Sequence, residues 1–160
     1  VGKFDFGMQQ LIDSGLIEAM NIAVMVNKKP FLGICLGAQL ITNGSEEGQL
    51  NGLGWVPGKT VSFKNRLPEG MKIPHMGWNT VNNNNNNQLF VGMPVNSRFY
   101  FVHSYYLEMD NDSDVWLSAD YGINFCAAFH VENIYACQFH PEKSGKTGMK
   151  LLRNIEEMIK

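Results

Sequence analysis

The feature that most limits what this chain can fold into is an apolar tetrapeptide that runs straight into a glycine-flanked cysteine. Phe31-Leu32-Gly33-Ile34 carries no polar side chain, and it continues as Gly33-Ile34-Cys35-Leu36-Gly37 into a helical pattern over Leu36 to Asn43. A strand that is apolar at every position is one buried on both faces, as in parallel sheets covered by helices. Ahead of it, Asp5 to Asn27 reads as helix with a break at Gly15. Met8, Leu11 and Ile12 share one face, and Leu16, Ile17, Met20 and Val24 share the next. Lys28-Lys29-Pro30 ends that helix, because proline cannot continue it and restrains the residue before it. Helix, buried strand and helix in succession argue for an α/β fold.

The rest of the chain adds strands. Lys59 to Lys64, Arg98 to Leu107, Val115 to Ala119, Phe125 to Val131 and Ile134 to Phe139 are strand candidates, and Arg66 to Gly70 is a turn. Gly44 to Gly58 is dense in turn residues and reads as loop. Asn82 to Asn87 is an asparagine run, expected to be an exposed loop without chemistry. Thr147 to Lys160 is an amphipathic helix with Leu151, Leu152, Ile155 and Ile159 on its apolar side. The expected fold is a three-layer α/β domain around a mostly parallel sheet with an antiparallel extension, one domain over residues 1–160.

Composition excludes several functions. With 44% hydrophobic and 18% charged residues the chain is a folded domain, not a disordered one. Its net charge of −2 and lack of a basic stripe argue against nucleic acid and against an anionic membrane surface as partners. No apolar run approaches the ~20 residues that span a bilayer. The cysteines at 35, 126 and 137 form no close pair, which argues against a disulfide framework or a zinc site and for a reducing compartment, the cytoplasm. Cys126 and Cys137 lie in apolar runs and read as buried packing residues.

Cys35 is different. G-x-C-x-G between a strand and a helix has the form of a nucleophile elbow with cysteine in place of serine. The flanking glycines keep side chains out of a tight turn, and the Leu36 backbone N–H stands where an oxyanion would form. The helix N-terminus behind the sulfur is expected to lower its pKa. A thiol nucleophile needs a base held by a third group. His140-Pro141-Glu142 follows the last strand directly, and in an open α/β sheet the C-terminal strand ends line the ligand crevice. Cys35 and His140 would then share one edge, with Glu142 fixing the imidazole. His75, His103 and His130 have no carboxylate beside them in sequence and read as structural.

Pro30 to Leu40 and Gln138-Phe139-His140-Pro141-Glu142-Lys143-Ser144 resemble the two signatures of class I glutamine amidotransferases, a flavodoxin-like family. Ser45-Glu46-Glu47-Gly48, Gly52-Leu53-Gly54-Trp55, Lys72 to Asn79 and Tyr100 to Tyr106 are similar to the glutaminase subunits of imidazole glycerol phosphate synthases, enzymes of histidine biosynthesis. The resemblance implies a Cys35, His140 and Glu142 triad that hydrolyses glutamine through a glutamyl thioester, without cofactor or metal. It implies that Gly2, Gln39, Glu47, Ser104 and Tyr105 bind the substrate, and that the Val1 and Leu36 backbones hold the oxyanion. It also implies a heterodimer whose other member is a (βα)₈-barrel synthase, with Met76, Trp78, Tyr100 and Lys143 at the interface. That partner would use the ammonia to make imidazole glycerol phosphate and aminoimidazole carboxamide ribotide.

Two departures bear on this. The family has a strand–helix–strand unit before the first residue here, so the domain is expected to be incomplete at its N-terminus and the isolated chain destabilised. Of the family's Pro-Gly-Val-Gly oxyanion segment only Val1-Gly2 is present. The alternatives are the same chemistry feeding another synthase, such as one aminating a cell-surface sugar precursor, or a catalytically silent docking subunit.

Overall fold

The computed structural model describes residues 2–84 and 87–160. Helix α1 spans Phe4–Ser14 and ends at Gly15, whose left-handed φ of 68° closes the helix as a glycine can. Helix α2 (Ile17–Asn21) follows and runs on through a π-helical turn at Ile22–Val26. The expected long helix is therefore present with its break where the glycine stands. Strand β1 (Phe31–Ile34) leads through Cys35 into α3 (Leu36–Leu40), which is shorter than the pattern suggests. The remaining strands are β2 (Gly58–Ser62), β3 (His75–Asn83), β4 (Arg98–His103), β5 (Tyr105–Met109), β6 (Val115–Asp120), β7 (Asn124–Val131) and β8 (Ile134–Cys137). Helix α4 (Gly145–Met158) closes the described chain.

The strands order as β1-β8-β7-β6-β3-β4, with β5 branching from β7 and β2 pairing with β5. The α/β class, the flavodoxin-like layering and the antiparallel extension are those expected. The parallel part among the described strands is the β1–β8 pair, in register from Phe31↔Ile134 to Ile34↔Cys137, and the other pairs belong to the antiparallel extension. An isolated bridge between Tyr100 and His140 brings β4 back against the segment after β8, so the sheet curls on itself.

Alternation along β8 shows the layers. Tyr135 and Cys137 face a core that contains Leu151 and Ile155 of α4, whereas Ile134 and Ala136 face one that contains Val24, Ala38 and Ile41. β8 is buried at all four positions, as a strand covered on both sides must be. Phe4 and Met8 of α1 pack on Leu40 in a third, smaller cluster. Cys126 and Cys137 are buried and unpaired, as the sequence implied.

Several elements differ from the sequence reading. β3 has no sequence signal, because Gly77 and the asparagines at 79, 82 and 83 are poor strand formers. The β-prone run at 98–107 is two strands that change direction at Ser104. The asparagine run is not one exposed loop. Asn82 and Asn83 end β3, and Asn87 Nδ2 donates to the Trp116 carbonyl while Asn87 Oδ1 accepts from Leu89 N–H. Asn85 and Asn86 lie outside the described residues.

Candidate active site

The site grows from the parallel register. Ile34 pairs with Cys137, and Cys35 N–H donates to the Cys137 carbonyl at 2.8 Å. Cys35 is therefore the first residue past β1, and His140 stands three residues past β8 on the neighbouring strand. Both occupy C-terminal strand ends on one edge, as the sequence implied.

Cys35 adopts φ 50° and ψ −109°, a left-handed conformation that a side-chain-bearing residue rarely takes. This strained strand-to-helix turn has the geometry of a nucleophile elbow. Gly33 is required there, since a Cβ would lie 3.0 Å from Ala38 Cα and N and from the Gly37 carbonyl oxygen. Gly37 is not crowded, since a Cβ there meets nothing within 4 Å. Of the two flanking glycines, only the first is needed for space within this chain.

The Leu36 N–H and Lys143 favour the Cys35 thiolate, but burial outweighs them and pushes the thiol pKa up. The expectation that the helix terminus would lower it is therefore corrected: α3 is a helix of five residues, and the desolvation of Cys35 is larger than its pull. Gln138 Nε2 lies 3.8 Å from the Cys35 sulfur.

His140 is 4% exposed. Its Nδ1–H donates to Glu142 Oε1 at 2.6 Å, so in the neutral ring Nε2 carries the lone pair. That Nε2 is buried and has no hydrogen-bond partner among the described residues. An orphan buried acceptor is costly and needs an explanation; a base awaiting a proton is one. The backbone around it is fixed by its neighbours. His140 N–H donates to the Tyr100 carbonyl, Ser144 Oγ donates to the His140 carbonyl at 2.6 Å, and Tyr100 N–H donates to Ser144 Oγ at 3.0 Å. Gly148 of α4 adds a packing requirement that the sequence did not suggest. A Cβ at 148 would fall 1.8 Å from the Pro141 carbonyl oxygen, so only glycine lets α4 pack against this turn.

A cavity of about 330 Å³ opens beside the sulfur, at the small end of ligand pockets. Gly2, Cys35, Leu36, Gln39, Glu47, Ser104 and Tyr105 line it, together with Lys3, Pro74, Val102 and His103. The structure thus gathers five expected substrate residues around Cys35 from four separate segments. His140 and Glu142 stand off the cavity wall. Val1 lies outside the described residues. Glu47 is half-buried, and its Oε2 accepts the Phe4 N–H at 2.8 Å. In return Asp5 accepts from Gln49 and Leu50 N–H, which ties the Glu47 loop to the start of α1.

Met76 and Trp78 of β3 are 61% and 49% exposed, so neither is a core residue. Trp78 pairs across the sheet with half-buried Tyr100, their rings edge to face with centroids 6.2 Å apart. Lys143 is exposed on the turn after His140. The four expected interface residues therefore lie along β3, β4 and that turn.

The sequence profile described as Glutamine amidotransferase class-I matches residues 13–158. Imidazole glycerol phosphate synthase subunit HisH 2 of Methanococcus maripaludis is 51% identical over 155 residues, 97% of this chain and 76% of that protein. The chain belongs to the class I glutamine amidotransferase family. HisH 2 of Pseudomonas aeruginosa is 45% identical, over 99% of this chain and 78% of its own length. HisH of Bdellovibrio bacteriovorus is 46% identical with the same coverage. Among solved structures, a glutamine amidotransferase from Thermotoga maritima superposes with a TM-score of 0.61 at 19% identity, covering 99% of this chain and 60% of its own. A putative GMP synthase protein from Thermoplasma acidophilum also gives 0.61, at 24% identity, covering 92% of this chain and 67% of its own. Both carry the same fold. As a member of this family the chain is a glutamine amidotransferase.

Proposed function

We propose that Cys35, His140 and Glu142 form a triad that hydrolyses glutamine and delivers the ammonia to a synthase subunit. The observation that carries this reading is the buried, unpartnered Nε2 of His140, oriented by Glu142 at the same sheet edge as a strained Cys35. His140 Nε2 takes the thiol proton as the sulfur attacks the γ-carboxamide carbon. The Leu36 N–H stabilises the oxyanion. The carbon–nitrogen bond breaks, and ammonia leaves with the proton from His140. Water then attacks the glutamyl thioester, giving up its proton to His140. That proton returns to the departing sulfur, and glutamate is released. A raised thiol pKa fits this cycle, because the base then removes the proton only as the bond forms.

Glu47 suits the substrate's α-ammonium group, with one oxygen already committed to Phe4. Gln39, Ser104, Tyr105 and Gly2 hold the rest of the amino-acid end. Free ammonia protonates in water, so the product must pass to an acceptor under cover. The exposed Met76, Trp78, Tyr100 and Lys143 surface is the proposed contact with a barrel-type synthase, and the HisH relatives favour imidazole glycerol phosphate as the product. A glutamine-mimicking electrophile tests the first step. Mass spectrometry should find it on Cys35, with none bound in Cys35→Ala. Absence of label on the unmutated chain mixed with its partner would mean a silent docking subunit. Ammonia release without imidazole glycerol phosphate would assign the same chemistry to another synthase.

A further inference from the structure

His75 and His103 lack any sequence sign of a role beyond structure, yet they form a linked pair beside the cavity. Both are buried, and β3–β4 register sets them opposite each other. His75 Nδ1 lies 2.9 Å from His103 Nε2. Tyr121 stacks on His75 with centroids 4.1 Å apart, Phe101 covers its other side at 4.8 Å, and Phe63 and Phe125 pack around His103.

The partners determine every proton. His103 Nδ1 faces the Tyr105 carbonyl at 2.8 Å, an acceptor only, so His103 Nδ1 carries hydrogen. In the neutral ring its Nε2 is then an acceptor, so His75 Nδ1 must donate to it. His75 Nε2 is left to accept, and Asn79 Nδ2 donates to it at 3.3 Å. The chain runs one way: Asn79 to His75, His75 to His103, His103 to the Tyr105 carbonyl. Gln39 Nε2 donates to that same carbonyl at 3.2 Å and to Gln138 Oε1 at 3.0 Å, and Gln138 Nε2 reaches the Cys35 sulfur. An unbroken polar path thus joins Asn79, next to exposed Trp78, with the sulfur.

We infer that His75 and His103 are positioning residues that, as a neutral one-directional pair, lock the Tyr105 carbonyl in the glutamine-site wall and connect the Trp78 face with Cys35. The inference rests on the reading of Cys35 as the nucleophile. With His103 and Gln39 both donating, the two lone pairs of the Tyr105 carbonyl are taken and the peptide cannot turn. Charging His103 would set donor against donor between the rings, and charging His75 would set its Nε2–H against the Asn79 amide. Burial opposes that charge, bringing His75 down to about 4 and His103 to about 3. His75 and, more weakly, His140 push His103 the same way, while the Tyr105 carbonyl acts in the opposite sense. Tyr121 is the titratable group stacked on His75. Because the folded values lie below that of a free imidazole, the pair's contribution to stability is full above about pH 6.5 and shrinks as pH falls toward 4.

Asn79→Asp tests the direction of the chain. A carboxylate at 79 accepts from His75 Nε2–H, and a neutral pair must then reverse, turning a lone pair of His103 toward the Tyr105 carbonyl. The chain to Tyr105 is restored only if the pair takes one extra proton, which the new carboxylate favours. We expect KM for glutamine to rise about tenfold at high pH, the loss of roughly one hydrogen bond. We expect kcat/KM of Asn79→Asp to recover as pH falls through a new near-neutral ionisation. Asn79→Ala removes the donor without reversing the chain, so its KM should rise with no new ionisation. Nitrogen-15 spectra of the histidines should show His75 and His103 as neutral Nδ1–H forms, unchanged down to pH 5.5. Glutamine hydrolysis with unaltered KM and pH profile in Asn79→Asp overturns the inference, and so does either ring appearing as the Nε2–H or charged form. The spectra decide it even where Cys35 proves unreactive, so failure here and failure of the triad reading are separate results.

Discussion

His140 and His103 are both nearly sealed from solvent, yet they are equipped for opposite purposes. His140 gives Nδ1–H to Glu142 and keeps a bare Nε2. His103 has both nitrogens committed, one to a backbone carbonyl and one to His75. One ring keeps a nitrogen without a partner among the described residues, the other has none to spare. The difference follows from the strands that carry them. β8 runs parallel to its partner β1, so both strands end at one edge of the sheet, where Cys35 and His140 follow them. β4 is paired antiparallel with β3, so its last residue is enclosed by register. On the proposed function, the parallel pair of this sheet supplies chemistry and the antiparallel hairpin supplies rigidity and an exposed face.

Removing the reactive groups should separate the two regions most sharply. Cys35→Ala is expected to reduce glutamine hydrolysis by at least ~10³-fold, measured as ammonia release with the synthase partner present. His140→Asn is expected to lose ~10²–10⁴-fold, and Glu142→Gln less, because it orients the base without touching substrate. Cys35→Ala and Glu142→Gln should melt close to the unmutated chain, since Glu142 is exposed and alanine keeps the Cys35 Cβ and loses only the sulfur. Hydrolysis surviving in Cys35→Ala would remove the chemistry from the parallel edge altogether.

The two glycines of the elbow give a second contrast, in stability. Gly33→Ala must displace the backbone of α3, so we expect a loss of about 1–3 kcal/mol. Gly37→Ala adds a methyl to open space in a helix, where alanine is favoured by roughly 0.5–1 kcal/mol. Thermal melts of opposite sign would support this reading of the turn. Two equal losses would show that the sequence rule, glycine needed on both sides, was the better one.

That rule illustrates what the sequence could carry. The elbow, the buried strand before it and His140-Pro141-Glu142 were legible because their chemistry is local, within a few residues of a recognisable turn. β1, β2, β6, β7 and β8 were legible from apolar or β-prone runs, and α4 from its amphipathic period. β3 was not, because its residues are half-exposed and its hold on the sheet comes from β4 and β6 rather than from its own propensity. The His75–His103 pair was hidden for the same reason. The two stand 28 positions apart, and only the register of a strand without a sequence signal brings them together. Gly148 needed the structure too, since the atom it accommodates belongs to Pro141 of another segment.

The smallest expected effect on the isolated chain lies on the antiparallel face. Trp78 is half exposed and touches Tyr100 edge to face, so Trp78→Ala should change stability by no more than about 1 kcal/mol. Its basal electrophile labelling at Cys35 should stay near that of the unmutated chain, because the ring lies outside the cavity wall. What should fall is the stimulation by the synthase partner, read by titrating that partner into a glutaminase assay. Tight partner contacts concentrate in exposed aromatic residues such as this one, whose truncation typically costs more than about 1 kcal/mol of binding. An unchanged titration curve would move the docking surface off β3 and leave the antiparallel hairpin with rigidity as its whole contribution.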